Sequence, residues 1–218
     1  MKSLASLISD KSALTILCIG AHSDDIEIGA GGTILRLIEN GLDLTVHWCV
    51  LSADNERGQE AAASAQTFLR GVQQHRIHLG QFDDSHFPDQ SRAIKKWLID
   101  IREQCSPDIV FTHSHHDAHQ DHRTVNRLTT NVFRDNLVVE YEIPKWDGDL
   151  TARNSYVPIS LDILDRKIGL LMQNFASQRS KDWFDEDVFR GLARLRGMEC
   201  RSASRFAEAF TIRKQTLF

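Results

Sequence analysis

Residues 14–40 read LTILCIGAHSDDIEIGAGGTILRLIEN. The first part, LTILCIGA (14–21), is a short apolar run rich in β-formers, which predicts a strand buried on both faces. From Ile26 onward the apolar residues fall at helical spacing (Ile34, Leu35, Ile38), and Gly41 follows as a stop. Strand, polar corner and helix therefore succeed one another within one stretch. The pattern continues: a strand over 42–51, a helix over 56–70 ended near Gly71, and a short strand over 75–79. A helix over 90–104 carries Ile94, Trp97, Leu98 and Ile101 on one face, a turn follows at Pro107 and Asp108, and 109–112 is the next strand. Strands alternating with helices of this length predict βαβ units, a mostly parallel sheet and helices on both of its faces. The second half is less regular, with a strand expected over 137–143, a helix over 161–175 and mixed signals over 183–212. No repeat or low-complexity linker interrupts the chain and it has only 4 prolines, so one domain over 1–218 is expected.

Composition narrows the class. At 218 residues the chain is long enough to bury roughly 70% of its unfolded surface without disulfide staples. Charged residues make up 26% and hydrophobic ones 41%, which excludes a disordered chain. The 26 Lys and Arg against 30 Asp and Glu leave a net charge of −4, unsuited to general nucleic-acid binding. No apolar run reaches the ~18 residues that span a bilayer, so no membrane partner is expected. Cys18, Cys49, Cys105 and Cys200 form no CxxC pair and read as reduced thiols. In the N-terminal MKSLASLISDKS, Asp10 and Lys11 break the apolar stretch before a secretory core forms. Both features lead to the expectation of a cytoplasmic protein.

Histidine is the skewed number: there are 10, and five of them (His113, His115, His116, His119, His122) lie in the segment 113–122, HSHHDAHQDH. This segment follows the strand at 109–112, as AHSDD (21–25) follows the first strand. Ligands of open α/β sheets bind beyond the carboxyl ends of strands, where the strand order switches. His22, Asp24 and Asp25 bring one imidazole and two carboxylates, and the second loop adds more of both. Three N/O ligands with one position left for water make a catalytic zinc site, and a neighbouring carboxylate can serve as base. Each motif alone has a plainer reading: a solvated loop, or Asp residues capping a helix. Both together at strand ends favour the chemical one. The glycines of GAGG (29–32) do not spell GxGxxG and read as permitting close helix packing.

Residues 21–32, AHSDDIEIGAGG, resemble the AHPDDxExxxGG signature of the PIG-L/LmbE-like N-deacetylases, and HDAHQDH (116–122) resembles that family's second signature. NERGQE (55–60), FDDSHFP (82–88), LRGME (195–199) and FAEAF (206–210) are similar to its supporting segments, so the likeness covers roughly residues 14–212. Ser23 and Gln120 stand where the family usually has Pro; this loosens the backbone and removes no ligand. The resemblance implies a Rossmann-like three-layer sandwich holding one zinc. It implies His22, Asp25 and His122 as metal ligands, and Asp24 as the base that activates the zinc-bound water. His119 would stabilise the oxyanion or protonate the leaving amine, with Asp121 orienting it, and Arg57 and Asp84 would contact substrate. On a helical turn, His119 and His122 would face the same way, and a cationic His119 with its pKa raised by Asp121 would suit the developing charge.

The expected activity is removal of an N-acetyl group from an N-acetylated amino sugar or sugar conjugate. The alternatives are an amidase for another small N-acyl compound and a metal-binding module without catalysis. A metallophosphoesterase calls for two metals and more ligands than the three found. Two His and one carboxylate also suit non-haem Fe2+, the alternative to Zn2+. The expected partner is this small molecule; the sequence is compatible with a homo-oligomer and does not set the oligomeric state.

Overall fold

The computed structural model describes residues 13–215; the N-terminal stretch, in which the sequence reading expected no secretory core, lies outside them. Seven strands form one sheet: β1 (Ala13–Gly20), β2 (Asp43–Val50), β3 (Gln74–Leu79), β4 (Ile109–His113), β5 (Leu137–Tyr141), β6 (Ser155–Ile159) and β7 (Phe206–Ile212). Their order is β3-β2-β1-β4-β5-β7-β6. The first five are parallel, and β7 runs antiparallel between β5 and β6. The helices are α1 (Asp25–Glu39), α2 (Asn55–Phe68), α3 (Ser91–Arg102), α4 (Gln120–Val132), α5 (Leu161–Asn174) and α6 (Glu186–Glu199). Among the described residues no helix is long and apolar enough to cross a membrane.

The expected α/β sandwich is therefore the observed one. In β1, Leu14, Ile16 and Cys18 enter one core while Leu17 and Ile19 enter the other, because a run apolar at every position supplies both faces. The first core is closed by α1, α2, α5 and α6, the second by α3 and α4. Residues 183–212, mixed in sequence, resolve into α6 and β7. Two elements were not read from the sequence. The short edge strand β6 contains Pro158, and α4 lies inside the histidine-rich stretch.

Strand order reverses beside β1, which has β2 on one side and β4 on the other. The carboxyl ends of β1 and β4 thus flank a crevice, and the two motif loops leave from those ends. α1 must come close to the sheet to bring its first turn there. A Cβ on Gly29 would collide with the ring of Tyr141 and lie 2.9 Å from that residue's Cβ. Gly29→Ala should accordingly lower stability by about 1–3 kcal/mol through overpacking, despite alanine's better helix propensity. A denaturant midpoint equal to or above that of the parent would refute this packing account.

Candidate active site

β1 ends at Gly20, and the next turn is held by main-chain bonds that Leu51 N and Ser52 N donate to Gly20 O and Ala21 O. Ala21 N–H donates to His113 Nε2 at 2.9 Å, which joins the end of β1 to the end of β4. The His113 ring stacks on His122 at 3.9 Å. These contacts bring the two loops together around three donors. His22 Nδ1 lies 3.2 Å from His122 Nε2 and 3.4 Å from Asp25 Oδ2, and His122 Nε2 lies 3.5 Å from Asp25 Oδ1. Donors bound at about 2.0–2.1 Å around a tetrahedral ion lie about 3.3–3.4 Å apart, a spacing that His22 Nδ1 and His122 Nε2 meet directly and that Asp25 meets with a different oxygen toward each; His119 also comes within metal-binding reach of His22 and His122, and His113 of Asp25 and His122.

The outer nitrogens of both imidazoles are held. His122 Nδ1 is 2.9 Å from Asp117 Oδ2. His22 Nε2 is 3.0 Å from Asp84 Oδ1 and 3.4 Å from Asp121 Oδ2. A carboxylate behind each ring places the proton on the far nitrogen and leaves the near one free to ligate. His22 N–H donates to Asp25 Oδ2 at 2.6 Å and fixes that carboxylate. Asp25 is held well below the usual carboxylate range: burial opposes its charge, but His122 and His113 outweigh burial. Burial would lower the pKa of His22, yet hydrogen bonds to Asp121, Asp25 and Asp84 carry it well above the ordinary value.

Asp24 occupies the N-cap position of α1, but its side chain makes no cap bond. The residue is buried, and its Oδ2 has no hydrogen-bond partner among the described residues. Burial first, and the charge of Asp25 second, push its pKa up to about 6, against Arg57, whose Nη2 is 3.7 Å from Asp24 Oδ1. Arg57 Nη1 also reaches Asp84 Oδ2 at 3.0 Å.

The geometry departs from the sequence reading around His119. This residue is the N-cap of α4, with extended backbone (φ −70°, ψ 124°), and so does not sit on a helical turn with His122. Its ring still lies 4.6 Å from that of His122 and lines the same cleft. Asp121 meets it through the main chain: Asp121 N–H donates to His119 Nδ1 at 3.2 Å, which assigns the ring proton to Nε2. The Asp121 carboxylate instead accepts from Ser85 N (2.6 Å) and Phe87 N (3.1 Å) and faces His22. Burial and the nearby His22 lower the pKa of His119, outweighing the rise expected from Asp121. Asp84, expected on substrate, has both carboxylate oxygens engaged by the protein, one with His22 and one with Arg57.

A cavity of about 170 Å³ opens onto His22, Asp24, Asp25, His119 and His122. Its outer wall includes Lys145, Trp146 and Trp183, none of which was singled out from the sequence. Their loops carry no periodic pattern and join the site only through the fold. Asp117, within the histidine-rich segment, is the residue that orients His122.

Residues 17–133 match the family described as PIG-L: GlcNAc-PI de-N-acetylase. Diacetylchitobiose deacetylase of Thermococcus kodakarensis is 31% identical over 124 residues, 50% of this chain and 45% of that relative. The match thus spans under half of the relative's own length. Among solved structures, N,N'-diacetylchitobiose deacetylase from Pyrococcus horikoshii superposes with a TM-score of 0.68 at 22% identity, covering 97% of this chain and 93% of that one. GalB, the 4-carboxy-2-hydroxymuconate hydratase from Pseudomonas putida, superposes at 0.72 with 18% identity, covering 94% and 98%. At these identities both structures speak for the fold alone.

The raised pKa of His22 has a measurable consequence. A proton occupies the place that a divalent ion would take, so binding must release it. Calorimetric titration with Zn2+ at about pH 6 and about pH 8 should show tighter binding at the higher pH, with proton uptake by the buffer. Equal affinity at both would remove His22 from the ligand set.

Proposed function

This chain belongs to the PIG-L family, and we propose on that premise that it is a metal-dependent N-deacetylase acting on an N-acetylated amino sugar or sugar conjugate. The observation that carries the proposal is Asp24: a buried carboxylate at a helix start that caps nothing and keeps one unpartnered oxygen beside three converging donors. A binding module has no use for such a group. The names of the two chitobiose deacetylases above support the sugar as substrate class.

His22 Nδ1, Asp25 and His122 Nε2 would hold the ion, Zn2+ in our reading, with Fe2+ the alternative for two imidazoles and a carboxylate. Such an ion supplies Lewis acidity, polarising a carbonyl and acidifying a water. Asp24 takes the proton of the attacking water, a task for which a pKa near 6 is well placed. His119 directs its Nε2–H to the carbonyl oxygen as charge develops there. The proton held by Asp24 is then the one the leaving amine requires. Arg57 steadies Asp24 and Asp84 by charge, and Asp84 and Asp121 together keep the Nε2–H of His22 turned away from the ion. The four cysteines are all unpaired thiols, which suits the cytoplasmic setting we propose.

Metal analysis tests the ligands. His122→Ala should purify with little or no bound divalent ion, whereas Asp117→Asn should retain the site with affinity lowered roughly 10–100-fold. A full equivalent of metal in His122→Ala would overturn the ligand assignment. Asp24→Asn tests the base. It should keep its metal, lose about 10²–10⁴-fold in kcat and leave KM nearly unchanged. A base works deprotonated, so activity of the parent should fall as pH drops through about 6 or below, since a cation on Asp25 removes part of the repulsion. The Asn variant should lack that limb. Lost metal would mean that Asp24 is itself a ligand, and undiminished turnover would mean that another group is the base.

A further inference from the structure

The outer wall of the cleft contains groups that amide hydrolysis does not require. Trp146 and Trp183 both line it. Trp146 is 69% exposed, more than any other large hydrophobic side chain among the described residues. It is nevertheless held in place. Its Nε1–H donates to Asp182 Oδ1, and its ring meets Trp183 edge to face at 6.2 Å and 85°. Its neighbour Lys145 has a buried side chain whose Nζ pairs with Asp117 Oδ1 at 3.0 Å and with Asp149 Oδ2. Asp117 is the same residue that orients His122, so the position of Trp146 is tied to the metal donors through two side chains. Trp183 is fixed in turn by Phe184 at 5.7 Å and by Lys181 Nζ at 5.5 Å. A rigid aromatic surface left open to water beside a site is a pre-ordered contact for a ligand.

We propose that Trp146 and Trp183 form a stacking subsite for a second pyranose ring, the one joined to the N-acetylated sugar that reacts. The proposal rests on the deacetylase reading and adds the size and shape of the substrate. A pyranose presents a face of C–H groups and a rim of hydroxyls. The wall has matching parts: two aromatic surfaces, with Asp147 beside them as an acceptor and Lys181, held by the buried Gln178, as a donor. A fatty acyl aglycone would be left against these charged and amide groups.

The test compares N-acetylglucosamine, N,N'-diacetylchitobiose and octyl N-acetylglucosaminide as substrates of the metal-loaded parent, Trp146→Ala and Trp146→Tyr. For Trp146→Ala, kcat/KM on the disaccharide should fall about tenfold, chiefly through KM, and on the single ring should change less than about twofold. Trp146→Tyr should recover most of the loss, as a retained aromatic face requires. An equal loss on both sugars, or a loss confined to the octyl glycoside, would overturn the subsite. Intrinsic fluorescence separates the subsite from the reaction. Adding N,N'-diacetylchitobiose should change the emission of the parent, and the change should be largely absent in Trp146→Ala. No change in the parent would overturn the subsite whatever the activity. A fluorescence response without acetate release from any of the three compounds would overturn the deacetylase reading and leave the subsite standing.

Discussion

Buried lone pairs that face one another need a positive charge between them. His22 Nδ1, His122 Nε2 and the Asp25 carboxylate approach within 3.2 to 3.5 Å in the interior of the crevice. Water does not screen them there, and an uncompensated charge would be strongly destabilising. A proton on His22 meets the requirement in part, and a divalent cation meets it fully. Much of the surrounding fold holds the three in this arrangement. The strand order reverses at β1, the Ala21 N–H clasps His113, and a carboxylate backs the ring of His122 and that of His22. Ser85 takes a left-handed conformation (φ 67°) and turns its N–H onto Asp121.

The same constraint divides labour between two chemically identical neighbours. Asp25 faces His122, His113 and His22, and these rings together hold its carboxyl below the usual range against burial. Asp24 is turned the other way, toward Arg57, and lies beside the charge of Asp25 with burial acting on it. One residue step along the chain therefore separates a carboxyl held below the usual range from one raised to about 6. Pairs whose environments drive their pKa values apart are the usual basis for assigning acid and base roles.

Alternation of strand and helix was legible because β1, most of β2 and β4 are apolar runs, with Ile77 and Leu79 alone marking the polar edge strand β3, and α1 and α3 carry apolar residues at helical spacing between them. The loops were legible for a related reason. A parallel sheet exposes its strand ends, so polar clusters just after strands stand out against apolar runs. α4 was obscured by its own content: Val125, Leu128 and Val132 keep helical spacing, but the segment begins among the histidines, where polar residues read as ligands. β6 was hidden by Pro158, which a central strand excludes and an edge strand accepts. The supporting carboxylates were ambiguous because spacing does not distinguish Asp117, behind His122, from Asp121, behind His22. That choice depends on where the 82–88 loop delivers its N–H groups, a tertiary fact. Lys145, Trp146 and Trp183 belong to the same class: long-range neighbours of the site with no local signal.

Fold likeness does not choose the reaction here, since structures named as a deacetylase and as a hydratase superpose on this chain almost equally well. Both chemistries begin in one way, with a base drawing a proton from water near a group that accepts electrons. They part at the fate of the adduct. Hydration keeps the whole substrate in the product, whereas amide hydrolysis must give a proton to a nitrogen and release two pieces. On the reading proposed above, Asp24 would hold a proton when the nitrogen needs one, and His119, whose Nδ1 accepts from Asp121 N–H, would present its Nε2–H where negative charge builds on oxygen. The inner residues would then activate water in either reaction. On the subsite proposed above, the narrowing toward one substrate would lie further out, where Lys145 and Asp117 link His122 to the exposed Trp146 and the half-buried Trp183.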